Sequence, residues 1–174
     1  EMKKDLSERD ESTSSFAEMN YQPLKTASSL TVNFDKQSPA YQFEDGKSYY
    51  SALSIPEPRL PRQLKIKSYI TPTFSHSASA FVPNFLFLNQ DKKLISITKN
   101  YRPYTDTDFF LGAYLGGTVV IPAEAAYLVI YTPENGHAWT LDNAPACKLS
   151  LELSDTFPAD HDFSTVIIRD NVKI

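Results

Sequence analysis

A chain of 174 residues has room for one domain with its own core, and 41% apolar with 22% charged residues is the balance of an ordinary globular protein. A net charge of -4 offers no basic field for a polyanion, which excludes nucleic acid as a natural partner, and no run approaches the roughly 20 consecutive apolar residues of a membrane-spanning helix. Cys147 is the single cysteine, so an intrachain disulfide and a multi-cysteine zinc site are ruled out.

Residues 1–15 mix both charge signs with Ser and Thr and carry little apolar material beyond Met2 and Leu6, so a flexible leader or tether is expected there. Residues 16–174 are expected to form a single β-sandwich domain. Ser14 and Ser15 ahead of Phe16, with Glu18 close to capping-box spacing, predict at most one short helix. Short apolar runs separated by turn residues follow, and they predict strands over 29–34, 40–44 and 49–55. Asp45-Gly46 supplies a tight turn inside this stretch, while Pro56, Pro58 and Pro61 keep the next connection out of any ladder.

The segment 64–71 alternates most plainly, with Leu64, Ile66, Ser68 and Ile70 on one side and Lys65, Lys67, Tyr69 and Thr71 on the other. Phe85-Leu86-Phe87-Leu88 lacks alternation, as befits a central strand covered on both faces, and stops at the polar turn Asn89-Gln90-Asp91-Lys92. Further strands are expected over 94–98, 109–115, 118–121, 126–132, 148–153 and 165–169, with Asn135-Gly136 as another tight turn. Long helical periodicity is absent, so each half-apolar sheet has to be faced by another sheet. The expected fold is all-β, an antiparallel β-sandwich that is jelly-roll-like.

Three blocks carry a resemblance to a known family. The first is Phe43-Glu44-Asp45-Gly46-Lys47-Ser48-Tyr49-Tyr50 running into Leu53-Ser54-Ile55-Pro56 and then Leu64-Lys65-Ile66-Lys67-Ser68. The second is Ala80-Phe81-Val82-Pro83-Asn84-Phe85-Leu86-Phe87-Leu88-Asn89-Gln90-Asp91, and the third is Val120-Ile121-Pro122 followed by Ala126-Tyr127-Leu128-Val129-Ile130-Tyr131-Thr132. Through them the segment 43–132 resembles the maltose operon periplasmic protein family (MalM). A Pro-Asn pair feeding an apolar strand and then a polar turn makes the middle block the most specific. The first block is also similar to the pre-peptidase C-terminal accessory domains of secreted enzymes. Both resemblances imply an exported, non-catalytic sandwich. The MalM resemblance implies a periplasmic location and an association with maltose and maltodextrin uptake. It also implies attachment to the outer membrane as a lipoprotein, with residues before Phe16 as the tether and a lipid anchor upstream.

Catalytic patterns are weak. Ser75 and His76 stand next to each other rather than in a nucleophile elbow, and Cys147 lacks the Cys-His context of thiol enzymes. Asp160-His161-Asp162 puts three ligand types in a row, yet adjacent side chains rarely converge on one ion, and His76 and His137 have no ligand-spaced partner. No catalytic residue, metal or cofactor is expected. Asp106 and Asp108, beside Thr105 and Thr107, lack the glycine of a calcium loop and read as a solvated loop.

The stretch 100–110 combines rings, a guanidinium and carboxylates. Its plainer reading lays Tyr101 and Tyr104 over the sandwich edge and starts the next strand at Phe109-Phe110. Its functional reading makes Tyr101, Arg102, Tyr104, Asp106 and Asp108, together with Trp139 after Asn135-Gly136, a ligand-binding surface of clustered loops. The expected function is a non-catalytic periplasmic accessory or binding protein whose partner is an oligosaccharide or another envelope protein. The alternative is a structural or assembly factor of the cell envelope that binds a protein through its sheet edge or loops.

Overall fold

The computed structural model describes residues 13–57, 62–72, 78–79, 82–99, 104–132 and 147–154, together with Leu6, Glu8 and Asp10. Tyr101, Arg102, Trp139, Ser75, His76, His137, Asp160-His161-Asp162, the Asn135-Gly136 turn and the predicted strand 165–169 lie outside the described residues. Among the described residues a 3-10 turn at Phe16–Glu18 precedes the strands β1 (Gln22–Pro23), β2 (Ser29–Phe34), β3 (Ala40–Phe43), β4 (Gly46–Ser54), β5 (Arg62–Tyr69), β6 (Thr71–Pro72) and β7 (Ala78–Ser79). They continue with β8 (Asn84–Leu88), β9 (Leu94–Thr98), β10 (Tyr104–Asp108), β11 (Gly112–Ile121), β12 (Tyr127–Tyr131) and β13 (Cys147–Ser154).

Two sheets result. One runs β1-β4-β12-β8-β9 with β3 added to β4, and the other runs β10-β11-β5-β13-β2. Pairing is antiparallel in both apart from the short β1 on β4 and a lone bridge between Thr26 and Leu153. Setting aside β1, β3, β6, β7 and the edge strand β10, which leaves β2, β4, β5, β8, β9, β11, β12 and β13, the first lies beside the last and the second beside the last but one. The fourth and fifth pair with each other, and the third and sixth pair in the opposite sheet. This is the double Greek key of a jelly roll.

Strand alternation builds the core between the sheets. Leu64 and Ile66 of β5, Val119 and Ile121 of β11, and Leu149, Leu151 and Leu153 of β13 meet Leu53, Phe85, Phe87, Leu128 and Ile130 from the other sheet, none more than 1% exposed. The opposite face of the β4-β12-β8 sheet is apolar as well: Tyr50, Ala52, Leu86, Leu88, Val129 and Tyr131 form a second cluster with Met19 and Phe43. Phe16 and Tyr21 from the N-terminal segment pack on it, and so does Tyr41 of β3. That outer layer explains why Phe85-Leu86-Phe87-Leu88 is apolar at every position. Each buried residue of this kind contributes roughly 1.5–3 kcal/mol through removal from water. The second sheet has one wet face instead, with Lys65, Thr118 and Glu152 exposed.

Local chemistry fixes the turns. Phe43 pairs with Gly46 across Glu44-Asp45, and Gly46 takes φ +124, open to glycine at little cost. At the turn after β8, Asn89 Oδ1 accepts the amide N–H groups of Asp91 and Lys93, each at 2.9 Å. The Phe16–Glu18 turn is closed from Glu18, whose Oε2 accepts Ser14 N–H at 3.1 Å and Ser14 Oγ–H at 2.8 Å. These bonds hold the Glu18 carboxyl below its usual range.

Three sequence expectations are corrected. The predicted strands 109–115 and 118–121 are one strand, β11, which runs through Gly116-Gly117 without a break. Phe109 and Phe110 do not start it. They form the tip of the β10–β11 hairpin, 93% and 87% exposed, because Asp108 Oδ1 accepts the N–H groups of Phe110 at 3.0 Å and Leu111 at 3.2 Å and turns the chain there. Gly112, with φ +83, closes the loop back onto Asp108. The Asp106 and Asp108 segment, read as a solvated loop, is correspondingly the edge strand β10.

Candidate functional site

Alternation along β10 sends Tyr104, Asp106 and Asp108 to the wet face of the second sheet, and register brings β11 and β5 beside them. Tyr104 pairs with Gly116, Asp106 with Tyr114 and Asp108 with Gly112; Tyr114 in turn pairs with Tyr69 and Gly116 with Lys67. The result is a continuous patch of phenols, carboxylates and ammonium groups at one end of the sheet.

Its geometry is specific. The end of the Tyr104 ring rests on Gly116, where a Cβ would sit 2.5 Å from the ring carbon Cζ, so only glycine leaves the ring its seat. Tyr104 remains 57% exposed. Tyr114 is buried, 6% exposed, and donates its hydroxyl to Asp106 Oδ2 at 3.2 Å; burial first, then that hydrogen bond, pushes the phenol above its ordinary value. Tyr69 meets Tyr114 edge-on with centroids 5.9 Å apart. Lys67 Nζ lies 4.6 Å from the Tyr114 centroid and 3.4 Å from Asp108 Oδ2, and Lys148 Nζ lies 5.5 Å from the Tyr69 centroid. Both ammonium groups lie within cation–π range of a ring.

Chemically the patch offers a ring open to solvent, hydrogen-bond acceptors at Asp106 and Asp108, and donors at Lys67 and the exposed Tyr104. General acid catalysis asks for a carboxyl held above its usual pKa. Asp108 goes the other way: the Phe110 and Leu111 amides, then Lys67, hold it below the ordinary range. Among the described residues no group of three His, Cys, Asp or Glu side chains is placed to hold a metal ion.

Of the residues singled out from sequence, Tyr104, Asp106 and Asp108 come together here. Gly116, Tyr114, Tyr69, Lys67 and Lys148 were not singled out. The Lys65-Ile66-Lys67-Ser68-Tyr69 alternation carried the signal for two of them, since it places Lys67 and Tyr69 on the wet face. Elsewhere a concavity of about 700 Å³ lies between the N-terminal segment and β2 to β4, lined among others by Asn20, Tyr21, Gln22, Asn33, Tyr50 and Ser51.

Residues 45–154, more than half of the chain, match the family described as maltose operon periplasmic protein precursor (MalM). The chain belongs to the MalM family. No curated protein and no solved structure matches it. The MalM match opens at Asp45, in the turn entering β4, and closes at Ser154, the last residue of β13, so the whole patch from Lys67 to Lys148 lies within it. Strands β1 to β3 and the Phe16–Glu18 turn precede it. The description of MalM is of a periplasmic protein, and membership places the chain in that compartment.

Proposed function

We propose that the chain is a non-catalytic periplasmic binding protein that takes a neutral oligosaccharide of the maltodextrin class on the wet face of the β10-β11-β5-β13 region. The observation that carries this reading is Tyr104, exposed over more than half its surface and seated on Gly116 beside two carboxylates and an ammonium group. A sugar stacked on such a ring removes apolar C–H faces from water, while its hydroxyls bond the flanking charged groups. The description of the family as a maltose operon protein supports the choice of ligand class. The low, spent carboxylate of Asp108 supports recognition over hydrolysis.

Calorimetric titration with maltodextrins tests it. Saturable binding that falls by about tenfold or more in Tyr104→Ala, with the fold intact, is the expected result. Absence of heat up to millimolar glycan removes the ligand. Attachment to the outer membrane through an upstream lipid anchor belongs to the same proposal, and the gene sequence before Glu1 tests it by the presence or absence of a lipidation cysteine.

A second reading, an envelope assembly factor that binds another protein through its sheet edge, is favoured by one observation. Strand β10 is the outermost strand of its sheet, and residues Tyr104 to Thr107 are all exposed. An exposed edge of this kind can accept a partner strand.

A further inference from the structure

The β10–β11 hairpin ends in Phe109-Phe110-Leu111, exposed by 93%, 87% and 50%. Globular proteins rarely leave two adjacent phenylalanines in water without a use for them. The tip is held in shape: Asp108 Oδ1 accepts two of its amides, Gly112 closes the loop, and the two rings lie edge to face with centroids 5.1 Å apart. Space around Gly112 is open, with nothing within 4 Å of where a Cβ would be. The apolar tip therefore projects as a convex wedge.

We propose that this tip inserts into a zwitterionic phospholipid surface. Layering along the hairpin fits that occupant. Apolar side chains occupy the end, and behind them lies Lys67, its side chain 40% exposed, whose long stem suits headgroup depth. Charge selects the lipid. The Asp108 carboxylate next to the tip is compensated by Lys67 at 3.4 Å, whereas Asp106, a step further back, has the Tyr114 phenol for a partner and, among the described residues, no ion pair. A bilayer accepts the compensated pair, while the chain's net charge of -4, to which Asp106 contributes, repels anionic headgroups. A convex wedge needs no complementary cavity in lipid, and a chain of the periplasm has membrane on both sides. Its test is separable from that of the sugar reading, since the ring substitutions fall at the tip and leave the Tyr104 seat intact.

Flotation of the full chain with phosphatidylcholine vesicles tests it, alongside the variants Phe109→Ser/Phe110→Ser and Phe110→Trp. The exposed positions make folding of these variants straightforward to confirm by circular dichroism. Wild type is expected to float with the vesicles, the double variant to lose about tenfold in partition for each ring removed, and Phe110→Trp to retain partition. Vesicles containing phosphatidylglycerol are expected to recover less protein, and Asp106→Asn to narrow the difference. Wild type remaining in the aqueous fraction, or floating equally with the double variant, overturns the proposal and leaves an apolar pocket on a partner protein as the occupant of the tip.

Discussion

At Gly116 the absence of a side chain is what lets a tyrosine lie on the sheet. Gly116→Ala puts a Cβ into the end of the Tyr104 ring, and because that ring is exposed it can swing aside at small cost. The expected result is a change in unfolding free energy of about 1 kcal/mol or less in urea, with glycan affinity lost as in Tyr104→Ala. A loss of affinity without a loss of stability would separate the seat of the ring from the integrity of the fold. Tyr131 illustrates the opposite setting. It is stacked on Phe43 at 3.9 Å and 2% exposed, and its pKa is pushed up to about 12 by burial above all, with Asp45 adding and a hydrogen bond to Asn84 opposing. A phenol whose folded pKa exceeds its unfolded value of 10.0 stabilises the fold fully below that value, and the contribution is lost as pH rises toward about 12. Ultraviolet titration of tyrosinate should therefore show a class ionising late together with unfolding, and Tyr131→Phe should weaken the alkaline dependence. Titration of every tyrosine near its ordinary value would contradict this burial.

Elements differ in how openly the sequence announces them. Strands β2 and β9 have the bounds that alternation predicts, and β8 is buried on both faces as its unbroken apolar run requires. Phe87→Ala in that strand should cost roughly 3–5 kcal/mol in urea unfolding, the range for truncating a ring in a closed core. The β10–β11 hairpin was the least legible element, for physical reasons. Asp and Thr at alternate positions have the composition of a loop, Gly116-Gly117 looks like a break, and Phe109-Phe110 looks like the start of a buried strand. What decided otherwise is a side chain: Asp108 satisfies the amides of the turn and so moves the apolar residues to the tip. Asp108→Ala should speed hydrogen exchange at the Phe110 and Leu111 amides by an order of magnitude or more, with the midpoint of thermal unfolding almost unchanged. Unchanged exchange at those amides would deny the cap its role.

For the molecule as a whole, the missing helical periodicity was enough to require two facing sheets, and the observed strand order turns that requirement into a jelly roll. A far-ultraviolet circular dichroism spectrum dominated by β structure is expected, and helix above roughly a third of the residues would contradict it. The wet face was legible only in part, since Tyr104, Asp106 and Asp108 were visible as a chemical cluster. Their partners Tyr114, Tyr69 and Lys67 lie on two other strands, and only register joins them. The central claim is that a neutral glycan binds on this face. It is tested most directly by titrating isotope-labelled protein with maltodextrin and following amide chemical shifts. Saturable shifts gathered on Lys67, Tyr69, Tyr104, Asp106 and Tyr114 are predicted, whereas an unchanged spectrum, or shifts confined to the cleft around Asn20, Gln22 and Asn33, would contradict it.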